Sequence, residues 1–223
     1  LDTARLIARR APSLLALGLA VFVPLGLVDS AVDHVELHTG VDSVFKFAAV
    51  FAFVALQSAS TLLGEVFYSG AVAGLVGDFG RYSLADTLRR LPYRRLILAD
   101  LLFILGLVVS LMVLIVPGVL FFTWFGLCAT LIEIEGLGVR DSFARSRELV
   151  RGFFWRVLLV LGVATFVSDA LGNQITKGVH ALLGHSFAAT WAGESLGNVL
   201  TGPLYAVPAV LITMRLIERK RGA

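Results

Sequence analysis

The four histidines are the side chains best suited to metal chemistry. His34 and His38 stand four apart in Asp33-His34-Val35-Glu36-Leu37-His38, which on a helix puts two imidazoles on one face, and His180 and His185 follow much later in the chain. Imidazoles at that spacing can chelate zinc or copper; the plainer reading is that polar residues collect in the loops between apolar segments. A complete metal site would need both loops to converge. The single cysteine, Cys128, lies among Gly126, Leu127 and Ala129 and reads as a buried small hydrophobe, not a ligand. The sequence contains no Walker A loop, HExxH or CxxC pair. No catalytic residue is therefore assigned, and no cofactor is expected.

A second set is made of polar side chains inside apolar stretches, where they are costly and mark proton or substrate paths. Asp100, Glu133, Asp169 and Glu194 fall near the predicted ends of such stretches, within reach of water. Gln57 and Glu65 are the two expected to lie deep. Glu65 is either the carboxyl of a polar cavity or a structural carboxyl that reaches toward the interface.

The third set is basic. Asp2-Thr3-Ala4-Arg5, Asp86-Thr87-Leu88-Arg89 and Asp141-Ser142-Phe143-Ala144-Arg145 share one pattern, each leading through further arginines into an apolar run. On a helix, Leu84, Leu88 and Leu91 make one apolar stripe and Phe143, Val150, Phe153 and Phe154 another, with arginines on the remaining face. Asp86 with Arg90 and Asp141 with Arg145 are spaced as i,i+4 ion pairs. Such helices are expected at a membrane interface, where Arg89, Arg90, Arg94, Arg95, Arg145, Arg147, Arg151 and Arg156 could hold anionic headgroups, each contributing about 1 kcal/mol. The alternative is that these arginines serve topology alone.

The elements that must position these residues follow from composition. Of 223 residues 57% are hydrophobic and 16% charged, with a mean hydropathy of +0.87, against about 25% charged in a soluble domain. That balance excludes a water-soluble globule and predicts a polytopic all-α membrane bundle. Spans are expected at residues 12–31, 43–76, 96–116, 119–134, 153–175 and 196–214, forming a single membrane domain. The second is too long for one straight crossing and should tilt, project or break near Gln57 to Glu65. Pro24 should bend the first span, and Pro117-Gly118 should form the turn of a tight hairpin between the third and fourth.

Seventeen of the nineteen basic residues fall on one side of that arrangement, leaving Lys46 and Lys177 on the other. By the positive-inside rule both termini are expected in the cytoplasm, with the chain in the cytoplasmic (inner) membrane. The net charge of +3 thus points to lipid and not to nucleic acid. Gly70 with Gly74 and Gly193 with Gly197 are small-xxx-small pairs that let helices approach closely, within the chain or against a second copy or membrane partner.

Several motifs together resemble a known family. Val116-Pro117-Gly118-Val119 is followed by Leu131-Ile132-Glu133-Ile134-Glu135-Gly136, then by Ser142 to Ser146 and Glu148-Leu149-Val150-Arg151-Gly152-Phe153-Phe154-Trp155-Arg156. This series is similar to that of six-helix membrane proteins that include the membrane domain fused to some glycerophosphodiester phosphodiesterases, and their free-standing relatives. The likeness covers most of residues 80–223 and, in residues 1–79, hydropathy only. Leu211 to Lys220 resembles the family's closing basic segment, with Thr213 to Leu216 in place of the usual Tyr-and-Asp form. In fused members the phosphodiesterase activity resides in a separate soluble barrel, so the resemblance implies architecture and no catalytic residue. The leading expectation is a non-enzymatic accessory protein that binds lipid or a membrane partner. The alternatives are a transporter-like unit built around Glu65 and, more weakly, a membrane enzyme with a metal site on the outer face.

Overall fold

The computed structural model describes residues 11–27, 30, 64, 67–74 and 89–222, and their only regular secondary structure is helical. The principal helices are α1 (Ala11–Leu27), α2 (67–74), α3 (Tyr93–Val113), α4 (Ile115–Phe125), α5 (Cys128–Glu135), α6 (Val139–Val150), α7 (Phe154–Leu183) and α8 (Phe187–Arg221). Among the described residues three runs are long and apolar enough to cross a membrane: Ile115–Glu135, which joins α4 and α5, then α7 and α8. The chain therefore has the make-up of a helical membrane protein. His34, His38, Gln57, Glu65 and Asp86 lie outside the described residues.

Apolar side chains face outward as well as inward. Trp155, Leu159, Val163 and Phe166 form an exposed stripe along α7, and Leu98, Leu101, Leu105 and Val109 a comparable one on α3. In water such stripes would be a liability; against acyl chains they are the expected surface.

The hairpin between α3 and α4 forms, but not by the expected turn. A single extended residue, Leu114 (φ −168°, ψ 156°), separates the two helices. Pro117 and Gly118 lie inside the first two turns of α4. Proline is tolerated there because the first N–H groups of a helix have no intrahelical acceptor to lose. Gly118 is needed for contact instead: a methyl group at that position would run into the side chain of Leu111 on α3, and one at Gly106 would run into Phe121 on α4. The helices are pressed together at two glycines, with Phe103 on Phe121 beside them, ring centroids 5.8 Å apart.

Helices α7 and α8 also differ from expectation. They have 30 and 35 residues, about 45 and 52 Å at 1.5 Å per residue, well beyond the roughly 30 Å hydrocarbon core. The polar stretch between the fifth and sixth predicted spans is thus mostly helix, and the turn is confined to residues 184–186. Pro203 and Pro208 lie inside α8 without ending it, and α1 runs through Pro24.

Hydroxyls stitch the bundle together. Ser168 Oγ of α7 donates to the Thr201 carbonyl of α8 at 2.7 Å, and Thr130 of α5 meets Thr213 of α8 at 3.0 Å. Tyr68 Oη donates to the Leu14 carbonyl at 2.9 Å, joining α2 to α1. Trp191 Nε1 donates to the Val23 carbonyl at 3.0 Å, joining α8 to α1. One apolar core lies among α1, α2, α3, α5 and α8. A second, containing Leu131, Leu149, Leu161 and Leu216, lies under α6.

Candidate functional site

Among the described residues the basic side chains other than Lys177 gather at one end of the bundle, where the amino ends of α3 and α7, the whole of α6 and the carboxyl end of α8 meet. Helix α6 supplies the platform. Ser142, Ser146, Leu149 and Val150 are buried while Arg140, Ala144, Arg147 and Glu148 are exposed, so one face packs and the other carries charge. Ser146 Oγ anchors the packed face by donating to the Trp124 carbonyl of α4 at 2.7 Å. The expected apolar stripe is corrected here: α6 stops at Val150, Gly152 takes a left-handed φ of +95°, and Phe153 and Phe154 fall beyond that turn. Phe143 alone of the four aromatic or branched residues sits mid-helix, its ring tilted against Phe125 with centroids 5.4 Å apart.

Arg145 does not pair with Asp141. Its guanidinium grips Glu135 at the end of α5, with Nε to Oε2 at 3.1 Å and Nη2 to Oε1 at 3.3 Å, and donates from Nη1 to Glu148 at 2.9 Å. Lys220 of α8 donates to the Glu148 carbonyl at 2.7 Å and to its carboxylate at 3.3 Å. Three helices are thereby tied by one charge network. Hydrogen bonds from Arg145 and then Lys220 hold the Glu148 carboxyl below its usual range. Those that Arg145 donates to Glu135 and then to Glu148 hold its guanidinium above its ordinary value. Arg95 also serves a structural contact, donating to the Gly136 carbonyl at 3.3 Å.

Other arginines lie on aromatic faces. Arg147 stands 5.2 Å from the centroid of Trp124. Arg156 and Arg219, from α7 and α8, stand 5.9 and 5.7 Å from the centroid of Phe153. Such cation–π contacts fix a guanidinium in place while leaving its N–H edge for an anion. Arg151 and Arg147 border a polar recess beside Trp124, Ala144 and Glu148. Arg89, Arg90 and Arg94 are exposed at the approach to α3. Arg215 and Arg219 were legible only as topology markers, because Phe153, which brings Arg219 to Arg156, is remote in sequence.

The small-residue pairs sit within the chain's own contacts. A methyl at Gly197 would lie 3.1 Å from the Gly172 carbonyl oxygen of α7, and one at Gly193 would lie 3.2 Å from Thr176 Cγ2. At Gly70 and Gly74 the same methyl would meet Leu96 Cδ2 at 2.7 Å and Glu133 Oε1 at 2.8 Å.

At the opposite end, the α7–α8 turn brings the rings of His180 and His185 to 4.6 Å. No group of three or more metal-ligating side chains occurs among the described residues.

One carboxyl lies deeper than its place in the sequence suggests. Asp100 is expected near water, yet it is fully buried, and neither of its oxygens has a hydrogen-bond partner among the described residues. Helix α3 starts at Tyr93, which puts Asp100 about 10 Å along the helix. It shares the core-facing stripe of Leu96, Phe103 and Leu107. The 96, 100, 103, 107 spacing was the available signal.

No family model, curated protein or solved structure matches the chain.

Proposed function

We propose that the chain is a six-span integral membrane protein of the cytoplasmic membrane, with both termini and the arginine-rich end in the cytoplasm, that acts as a non-enzymatic accessory subunit by binding anionic lipids. The observation that carries this reading is the seating of Arg147, Arg156 and Arg219 on aromatic rings at one end of the bundle. Arginines held by rings instead of carboxylates keep their charge directed outward, which suits phosphate oxygens. Helix α6 then lies along the interface, packed face inward.

Native mass spectrometry of the protein released gently from its own membrane tests this reading. Retained anionic lipid is the expected result; a bare protein under conditions that preserve lipid on a control membrane protein would overturn it.

Asp100 favours a second reading, a transporter-like unit. A carboxyl buried without a partner in a helix bundle is costly to keep, and such residues mark ion or proton paths. Under this reading Asp100→Asn abolishes flux in reconstituted vesicles and leaves the fold intact. Under the accessory reading Asp100→Leu raises Tm by several degrees, since a buried polar group without a partner is replaced by an apolar one.

A further inference from the structure

Between the amino end of α7 and the carboxyl end of α8 lies an open groove of about 440 Å³, within the roughly 300–1,000 Å³ of small-molecule sites. Its two ends differ in chemistry. Leu159, Val160 and Ile212 line the apolar part, and Arg156, Arg215 and Arg219 line the polar part around Leu216, with no carboxylate in the lining among the described residues. Phe153 and Trp155 line it on the arginine side, and aromatic side chains of this kind are favoured at a membrane interface.

The apolar part opens sideways. Trp155 is 78% and Leu159 65% exposed, and both belong to the exposed stripe that runs on along α7 through Val163 and Phe166. A chain lying in the groove can thus leave it along that stripe without meeting a polar surface. The arginines come from two helices, and Arg156 and Arg219 are both seated on Phe153.

We propose that this groove binds one anionic glycerophospholipid, its phosphate held by Arg156 and Arg219 with Arg215 adding to the rim, and one acyl chain lying along Leu159, Val160 and Ile212. The inference rests on the lipid-binding reading above and narrows it to one site. A zwitterionic lipid would place an ammonium group against the arginine rim, so anionic headgroups are favoured by charge complementarity.

The test uses the full chain reconstituted in bilayers containing phosphatidylglycerol or phosphatidylcholine, each carrying a photoreactive group on one acyl chain, with crosslinks mapped by peptide mass spectrometry. Phosphatidylglycerol should label the α7 and α8 segments about tenfold more than phosphatidylcholine does. Arg156→Gln with Arg219→Gln should remove about that tenfold preference and leave phosphatidylcholine labelling unchanged. Leu159→Trp, at an exposed position, should lower labelling by blocking the chain path, which keeps the test open if the arginine variant fails to fold. Equal labelling by both lipids, labelling that maps to α3 instead, or displacement of the label by an acidic peptide would overturn the proposal. Anionic lipid retained in native spectra but crosslinked elsewhere defeats the groove alone, whereas no anionic lipid retained anywhere defeats the wider reading with it.

Discussion

Two arginine sites at the same end of the bundle put one residue type to opposite uses. Arg145 is enclosed by Glu135 and Glu148, at 27% side-chain exposure against 13% for Glu135, and spends its donors inside the protein. Arg156 and Arg219 instead lie on Phe153, beside a groove whose lining contains no carboxylate. Positive-inside bias accounts for the placement of all three equally well. What separates them is the partner that the fold supplies: a carboxylate neutralises the guanidinium, whereas an aromatic face positions it and leaves its charge available. The first site should therefore govern stability and the second lipid affinity.

The largest expected effect comes from breaking the enclosed site. Arg145→Ala leaves Glu135 mostly buried, with Arg221 at 4.0 Å as its remaining cation among the described residues. That should cost about 2 kcal/mol, between the values for exposed and buried pairs, and lower Tm by about 4–8 °C for a chain of this size. Anionic-lipid labelling in the groove should stay within about twofold of wild type at a temperature where both are folded. Thermal unfolding in detergent and crosslinking of the same samples check both halves. The complementary variant, Arg156→Gln with Arg219→Gln, should reverse the pattern: a Tm within about 2 °C of wild type, since exposed substitutions rarely exceed about 0.5 kcal/mol, and a loss of lipid preference of about tenfold. If each variant moved both quantities alike, the distinction between the two sites would collapse.

The same contrast explains what could be read in advance. Helical class, apolar spans and the collection of arginines on one side follow from composition and periodicity, which are local properties of the chain. The partner of each arginine does not. Asp141 has the right spacing for Arg145 along a helix, but Glu135 approaches across the α5–α6 turn and offers two oxygens to one guanidinium. Phe153 was expected on the stripe of α6, and a left-handed Gly152 moved it beyond that helix to meet Arg219 from the end of α8. The Pro117-Gly118 pair shows the same limit: its residue types indicate a turn, while the contact of Gly118 with Leu111 places it within a helix. Asp100 was misjudged because its depth depended on where α3 begins, and on neighbours contributed by other helices.

The smallest effect is a pH dependence confined to the enclosed site. Glu148 is held below its usual range by Arg145 and Lys220, so the unfolded chain takes up its proton first as acid is added. The stabilisation is complete above the unfolded value of about 4.3 and is lost as pH falls through the lower folded value. Because the Glu148 side chain is 54% exposed, solvent screening limits its contribution to a few tenths of a kcal/mol, or about 1 °C in Tm. Wild type should exceed Glu148→Gln by that margin at pH 6, and the gap should close toward pH 3. Lys220→Met should narrow the gap at pH 6, since Lys220 donates to both the carbonyl and the carboxylate of Glu148. Arg156 and Arg219 are seated on Phe153 and not on Glu148, so the lipid preference of the Glu148→Gln protein should match wild type between pH 6 and pH 5; a preference that shifted with this substitution would mean that the two arginine sites act as one.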